Sequence, residues 1–116
     1  MTTSDAYTLL RDAIATNRQA HFVYKGHRRE TCPHAIGTGP NKNEQVLVYQ
    51  FGGSSSSGGS IDRVADEQRW RCLALEDISQ LTVEDGPWHT AANYTRHSNC
   101  LKWVDLEVKL ASDEDL

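Results

Sequence analysis

The chain has 116 residues, 12 Lys and Arg against 16 Asp and Glu, and a formal net charge of -4. One ordinary domain fits this length and two do not, and such a domain can bury a core without metal or disulfides. Hydrophobic residues make up 38% and mean hydropathy is -0.60, with no run near the roughly 20 apolar residues that cross a bilayer. The acidic balance excludes a general duplex-DNA binder, which carries a long basic stripe.

The first segment reads as a helix over 4–17. Ser4 can cap it, and Asp5 sits where the helix dipole favours a carboxylate. Ala6, Leu9, Leu10, Ala13 and Ile14 recur at helical spacing and form one apolar face, and Asn17 is the stop. The N-terminus lacks a basic region followed by an apolar run, so no secretory signal is expected.

The period then changes to two. Gln19–Tyr24 predicts a strand, Lys25-Gly26 a turn, and His27–Ile36 a second strand that Pro33 makes an edge or a bulge. A turn-rich stretch, 37–43, leads to a third strand at Gln45–Phe51 that is apolar on both faces. The segment 52–68 opens with GGSSSSGGS and reads as a flexible loop. Arg69–Leu75 and Ile78–Glu84 predict two more strands, closed by Asp85-Gly86-Pro87. A C-terminal extension, 86–110, begins irregularly and ends in a strand at Leu101–Leu110, where Val104, Leu106, Val108 and Leu110 share a face. An acidic tail, 111–116, follows.

One helix and five consecutive antiparallel strands predict a mainly β single domain, a small Sm-like or SH3-like barrel, barrel 19–84, with an extra C-terminal strand. That strand can pair with an open edge or with a second copy of the chain as a homodimer. The cysteines, Cys32, Cys72 and Cys100, are odd in number and unpaired in spacing, which reads as reduced thiols in a cytoplasmic protein.

Particular residues narrow the class. Phe22-x-Tyr24-x-Gly26, then Arg29-x-Thr31-x-Pro33-His34, then Val48-Tyr49, then Trp70-Arg71-Cys72-Leu73-x-Leu75-x-x-Ile78-Ser79 stand in order over about Leu9 to Val83. This pattern resembles a WYL domain. The resemblance implies an Sm-like barrel of the kind that usually follows a helix-turn-helix domain in bacterial transcription regulators, where it senses nucleotide or nucleic-acid ligands and mediates dimer contacts. The chain departs from the family in three places. The name-giving triplet falls on Glu44-Gln45-Val46, two arginines of the family's Phe-Arg-Leu-Asp-Arg-Ile segment fall on Ala74 and Asp77, and only nine or so residues precede the match.

Four groups carry candidate chemistry. Tyr24, Arg28, Arg29, His34, Tyr49 and Arg71 supply the tyrosines and guanidiniums of an anion or nucleotide cradle. Arg28 and Arg29 are neighbours, so one faces that groove and the other solvent. The bland alternative pairs these arginines with Glu30 or the acidic tail. Cys32, His34, His97 and Cys100, with His89 spare, hold the donor types of a structural zinc site without its paired spacing, the basis for a zinc-stabilised interaction domain. Cysteine and histidine are present for a nucleophilic enzyme, but no carboxylate or oxyanion hole aligns with them. Trp88, Tyr94 and Trp103 mark the extension: Trp88 as a lid on the core, Trp103 as an interface residue. The reading is a non-catalytic binding module for a small anionic ligand or a protein partner, with no cofactor and no membrane contact.

Overall fold

The computed structural model describes residues 3–55, 59–61, 64–65, 68–91 and 100–108. The element order is α1 (Thr3–Thr16), β1 (Gln19–Tyr24), β2 (His27–Thr38), β3 (Glu44–Ser55), β4 (Gly59–Ser60), β5 (Trp70–Ala74), a 3-10 turn at Leu75–Asp77, β6 (Ile78–Glu84) and β7 (Trp103–Glu107). The protein is mainly β, with one N-terminal helix on an antiparallel sheet of seven strands.

The helix ends where the sequence indicated. Asn17 takes a left-handed φ of 54°, and the Arg18 amide bonds back to the Ala13 carbonyl. Its buried face is Ala6, Leu10, Ala13 and Ile14; Leu9, expected on that face, is 37% exposed. At the β1–β2 turn, Lys25 and Gly26 both have positive φ, 51° and 81°, the geometry that lets a two-residue turn match strand twist.

Two strands of 12 residues each, β2 and β3, pair with each other over Arg29–Thr38 and Glu44–Gly53. Each has two different neighbours on its other edge. For β2 these are β1 over its first half and β7 over its second; for β3 they are β5 and then β4. Two bulges accommodate the change. Glu30 pairs Gly52 while Thr31 pairs Gln50, so Phe51 is extra; Pro33 pairs Val48 while Ala35 pairs Leu47, so His34 is extra. Pro33 is tolerated there because it sits at the interruption of the ladder.

The bulges also sort side chains between two faces. Ala20, Phe22, Tyr24, Ile36, Val46, Val48 and Leu73 form the main core with α1, Leu75, Ile78 and Leu81. The opposite face holds a second cluster of Ala35, Leu47 and Leu101, flanked by Trp70 and Cys100. All of Val46–Gln50 is buried, as expected for a strand covered on both faces. β6 pairs back to β1, whereas β5 pairs β3 and no ladder joins β5 to β6.

Three expectations are corrected. Part of the segment expected as a flexible loop is strand. β3 continues through Gly52–Ser55, Gly59–Ser60 pairs with Ser54–Ser55, and Ile61 is buried, because bulged pairing with β2 draws the glycines into the ladder. The thiols are not all reduced: Cys72 and Cys100 form a disulfide with Cα atoms 6.3 Å apart. Spacing in sequence does not reveal this, since β5 and the residues before β7 meet only in the fold; closing a loop of this length contributes roughly 3–4 kcal/mol in the chain-entropy picture. The C-terminal strand is shorter than expected and alternates imperfectly. It pairs with β2 of its own chain, with Asp105 extra between the Ile36–Leu106 and Gly37–Val104 pairs. Asp105 thereby reaches α1, accepting from the Tyr7 hydroxyl at 2.5 Å and the Arg11 Nε at 3.1 Å.

β7 docks only because β2 carries glycine at 37: a Cβ there would collide with the Trp103 carbonyl. Gly37→Ala should cost about 1–3 kcal/mol in urea unfolding, with amide exchange rising in β7 and unchanged in the β1–β2 hairpin.

Candidate functional site

The six residues proposed as one cradle divide between the two faces of the sheet. Directly opposed residues in a ladder project to the same side. Arg29 opposes Phe22 and Arg71 opposes Val48, so both arginines face the main core, as does Tyr24. Arg28 is exposed on the other side. His34 and Tyr49 belong to the outer face, opposite to the arginines by strand alternation.

On the core face, Arg29 is 3% exposed and its guanidinium lies 5.1 Å from the centre of the Tyr24 ring. Its Nε is buried with no hydrogen-bond partner. Burial holds the Arg29 pKa below its ordinary value, and the nearby Arg71 charge adds to this. Arg71, its own pKa lowered by burial, gives Nη1 to the carbonyls of Gln68 and Trp70, at 2.7 and 3.0 Å. Arg11 pairs with Asp105 and Arg18 with Asp12 and Asp85, whereas no carboxylate among the described residues meets Arg29 or Arg71. A buried guanidinium beside a second one, with no counter-charge, is a costly arrangement that an anion would relieve.

On the outer face, the strap after β6 lies over an aromatic group. Tyr49 meets Trp70 edge-on at 5.3 Å, His34 contacts Trp70 and Trp88 at 4.7 and 4.8 Å, and Phe51 stacks on His89 at 4.2 Å. Tyr49, Phe51, Arg69, Trp88, His89 and Thr90 line an open groove of about 470 Å³. Trp88 is half-buried and packs against the main core, consistent with a lid. Trp103 is 48% exposed beneath the Lys102 ammonium, whereas Tyr94 lies outside the described residues.

The zinc set does not assemble. The Cys100 sulfur is bonded to Cys72, and His97 lies outside the described residues. Burial pushes the Cys32 thiol up to about 11, partly offset by the His89 amide that donates to its sulfur at 3.2 Å. Both ring nitrogens of His34 are engaged. Nδ1 donates to the Cys32 carbonyl at 2.7 Å, and that assignment leaves Nε2 to accept from the Thr90 hydroxyl at 2.9 Å. Among the described residues no three His, Cys, Asp or Glu converge as a metal site. A protonated, buried thiol is equally unsuited to nucleophilic attack.

Gln50 was missed. It sits inside an apolar run and reads as core strand, yet its side chain is fully buried and its Oε1 has no donor. A lone amide in such a run was the available signal. No helix among the described residues is long and apolar enough to cross a membrane. Compared with known proteins, the chain matches no family model, no curated protein and no solved structure.

Burial lowers the His34 pKa from 6.5 to about 4. As pH falls below 6.5 the unfolded chain takes up a proton that the folded chain refuses until about 4. Stability is therefore lost across that window, by about 3 kcal/mol from this group. Denaturant melts between neutral pH and pH 4 should show this slope, and a His34→Gln variant should lose most of it.

Proposed function

We propose that the chain is a non-catalytic binding module, a WYL-like domain of Sm-like barrel type, whose ligand is a small oxyanion held between Arg29 and Arg71. The observation that carries this reading is the buried Arg29 guanidinium with its orphan Nε, next to Arg71 and away from every described carboxylate. Two guanidiniums offer the charge-assisted, forked donors that phosphate and carboxylate accept. The Tyr24 ring beneath Arg29 holds that side chain in place.

Strand order supports the barrel. β6 pairs with β1 at one end of the path, β5 pairs with β3 at the other, and three residues of 3-10 turn join β5 to β6. So short a link ties the two ends of the sheet together. Phe22 and Tyr24 in the core, Gly26 in a positive-φ turn and Pro33 at a bulge are in keeping with the WYL resemblance. The arginines that the family would supply at Ala74 and Asp77 are absent, but Arg71 stands three residues before Ala74 and faces Arg29's side of the sheet. The non-catalytic reading rests on the Cys32 and His34 environments, which suppress thiolate and imidazolium alike.

Saturating inorganic phosphate, a mononucleotide or a cyclic dinucleotide should raise the melting temperature by several degrees. Arg29→Met should abolish that rise and, without ligand, stabilise the protein by about 1–3 kcal/mol, because it removes an uncompensated buried charge. A destabilised variant, or a wild-type protein indifferent to all three anions, contradicts the proposal.

A further inference from the structure

The Arg29 site contains an orphan acceptor as well as an orphan donor. Gln50 is fully buried, and its Nε2 donates to two backbone carbonyls, of Gly52 and Ser54, each at 3.0 Å. Carbonyls only accept, so the amide orientation is fixed and the unsatisfied atom is the oxygen. Gly52 and Ser54 flank Gly53, the residue that opposes Arg29 across the β2–β3 ladder, and Gln50 itself opposes Thr31. Thr31 does not serve Gln50: its hydroxyl donates to the Ala20 carbonyl at 2.8 Å. The buried amide oxygen and the buried guanidinium nitrogen thus stand along one short stretch of the same face. They are the two unsatisfied buried side-chain atoms among the described residues.

From this we infer that the ligand is an oxyanion carrying its own hydrogen-bond donor next to its charged oxygens, so that it accepts from Arg29 and donates to Gln50. The inference rests on the anion-site reading and specifies which anions the site takes. Hydrogen phosphate meets both requirements, with three oxygens to accept and one P–OH to donate. Sulfate has the same shape and charge but no proton, so one of its oxygens would face the Gln50 oxygen lone pair to lone pair. A buried acceptor left facing another acceptor forfeits its desolvation cost, which is how polar sites reject near-identical ligands.

The test is calorimetric titration of the full chain at about pH 8, where a phosphomonoester, with its second pKa of about 6, has also lost its proton. Hydrogen phosphate should bind at least ~10-fold more tightly than sulfate, about 1.4 kcal/mol. Methyl phosphate should follow sulfate. A nucleoside monophosphate that outbinds methyl phosphate would support the same requirement and assign the donor to its sugar or base. Gln50→Met should bring the phosphate and sulfate affinities together. Equal binding of phosphate and sulfate by the wild-type chain overturns the donor requirement and leaves the anion site standing. Failure of every anion to bind overturns both. The wild-type ratio decides the matter even if the Gln50 variant does not fold.

Discussion

The long β2–β3 ladder, interrupted by two single-residue bulges, organises this fold. A strand alternates strictly between faces, so an extra residue re-phases everything beyond it. The extra Phe51 and His34 let two continuous strands serve different neighbours at their two ends, β1 and β4 at one, β7 and β5 at the other. The same two residues fall on the outer face, where they take part in the aromatic group under the strap. Alternation puts Arg29 and Thr31, opposite Phe22 and Ala20, and Gln50, in phase with Val46 and Val48, on the core side, where a regular apolar strand would hold only hydrocarbon.

That placement divides the core into two regimes. Around Leu10, Ile14, Ile36, Val46 and Leu73 the packing is apolar. Around Arg29 and Gln50 the protein buries polar atoms, satisfies some and leaves one donor and one acceptor unmet. A core selected for stability alone would replace such groups. Their retention underlies the proposal that this region trades folding stability for a ligand.

Much of the fold was legible in local chemistry. The helix and its Asn17 stop, the Lys25-Gly26 turn, the doubly buried third strand and the bulge at Pro33 each follow from a residue whose backbone preference is strong. What was illegible depended on distant partners. The Ser- and Gly-rich segment after Phe51 has weak propensity of its own and becomes strand only because β2 presents a ladder to it. The Cys72–Cys100 bond needs two sulfurs brought together from segments 28 residues apart, which spacing does not encode. Among the site residues, the opposite orientation of Arg28 and Arg29 follows from simple alternation. The separation of His34 and Tyr49 from Arg29 follows from alternation along β2 as well, for His34 directly and for Tyr49 through its pairing with Cys32. The inward orientation of Gln50 was legible too, since it alternates with Val46 and Val48.

NMR of the arginine Nε–Hε groups reports whether Arg29 offers an unsatisfied donor to an anion. On addition of hydrogen phosphate, the Arg29 signal should shift and its hydrogen exchange should slow, while that of Arg18, already bonded to Asp85 at 2.9 Å, stays in place. An Arg29 signal that is unmoved at saturating phosphate, or one already protected in its absence, would contradict the account.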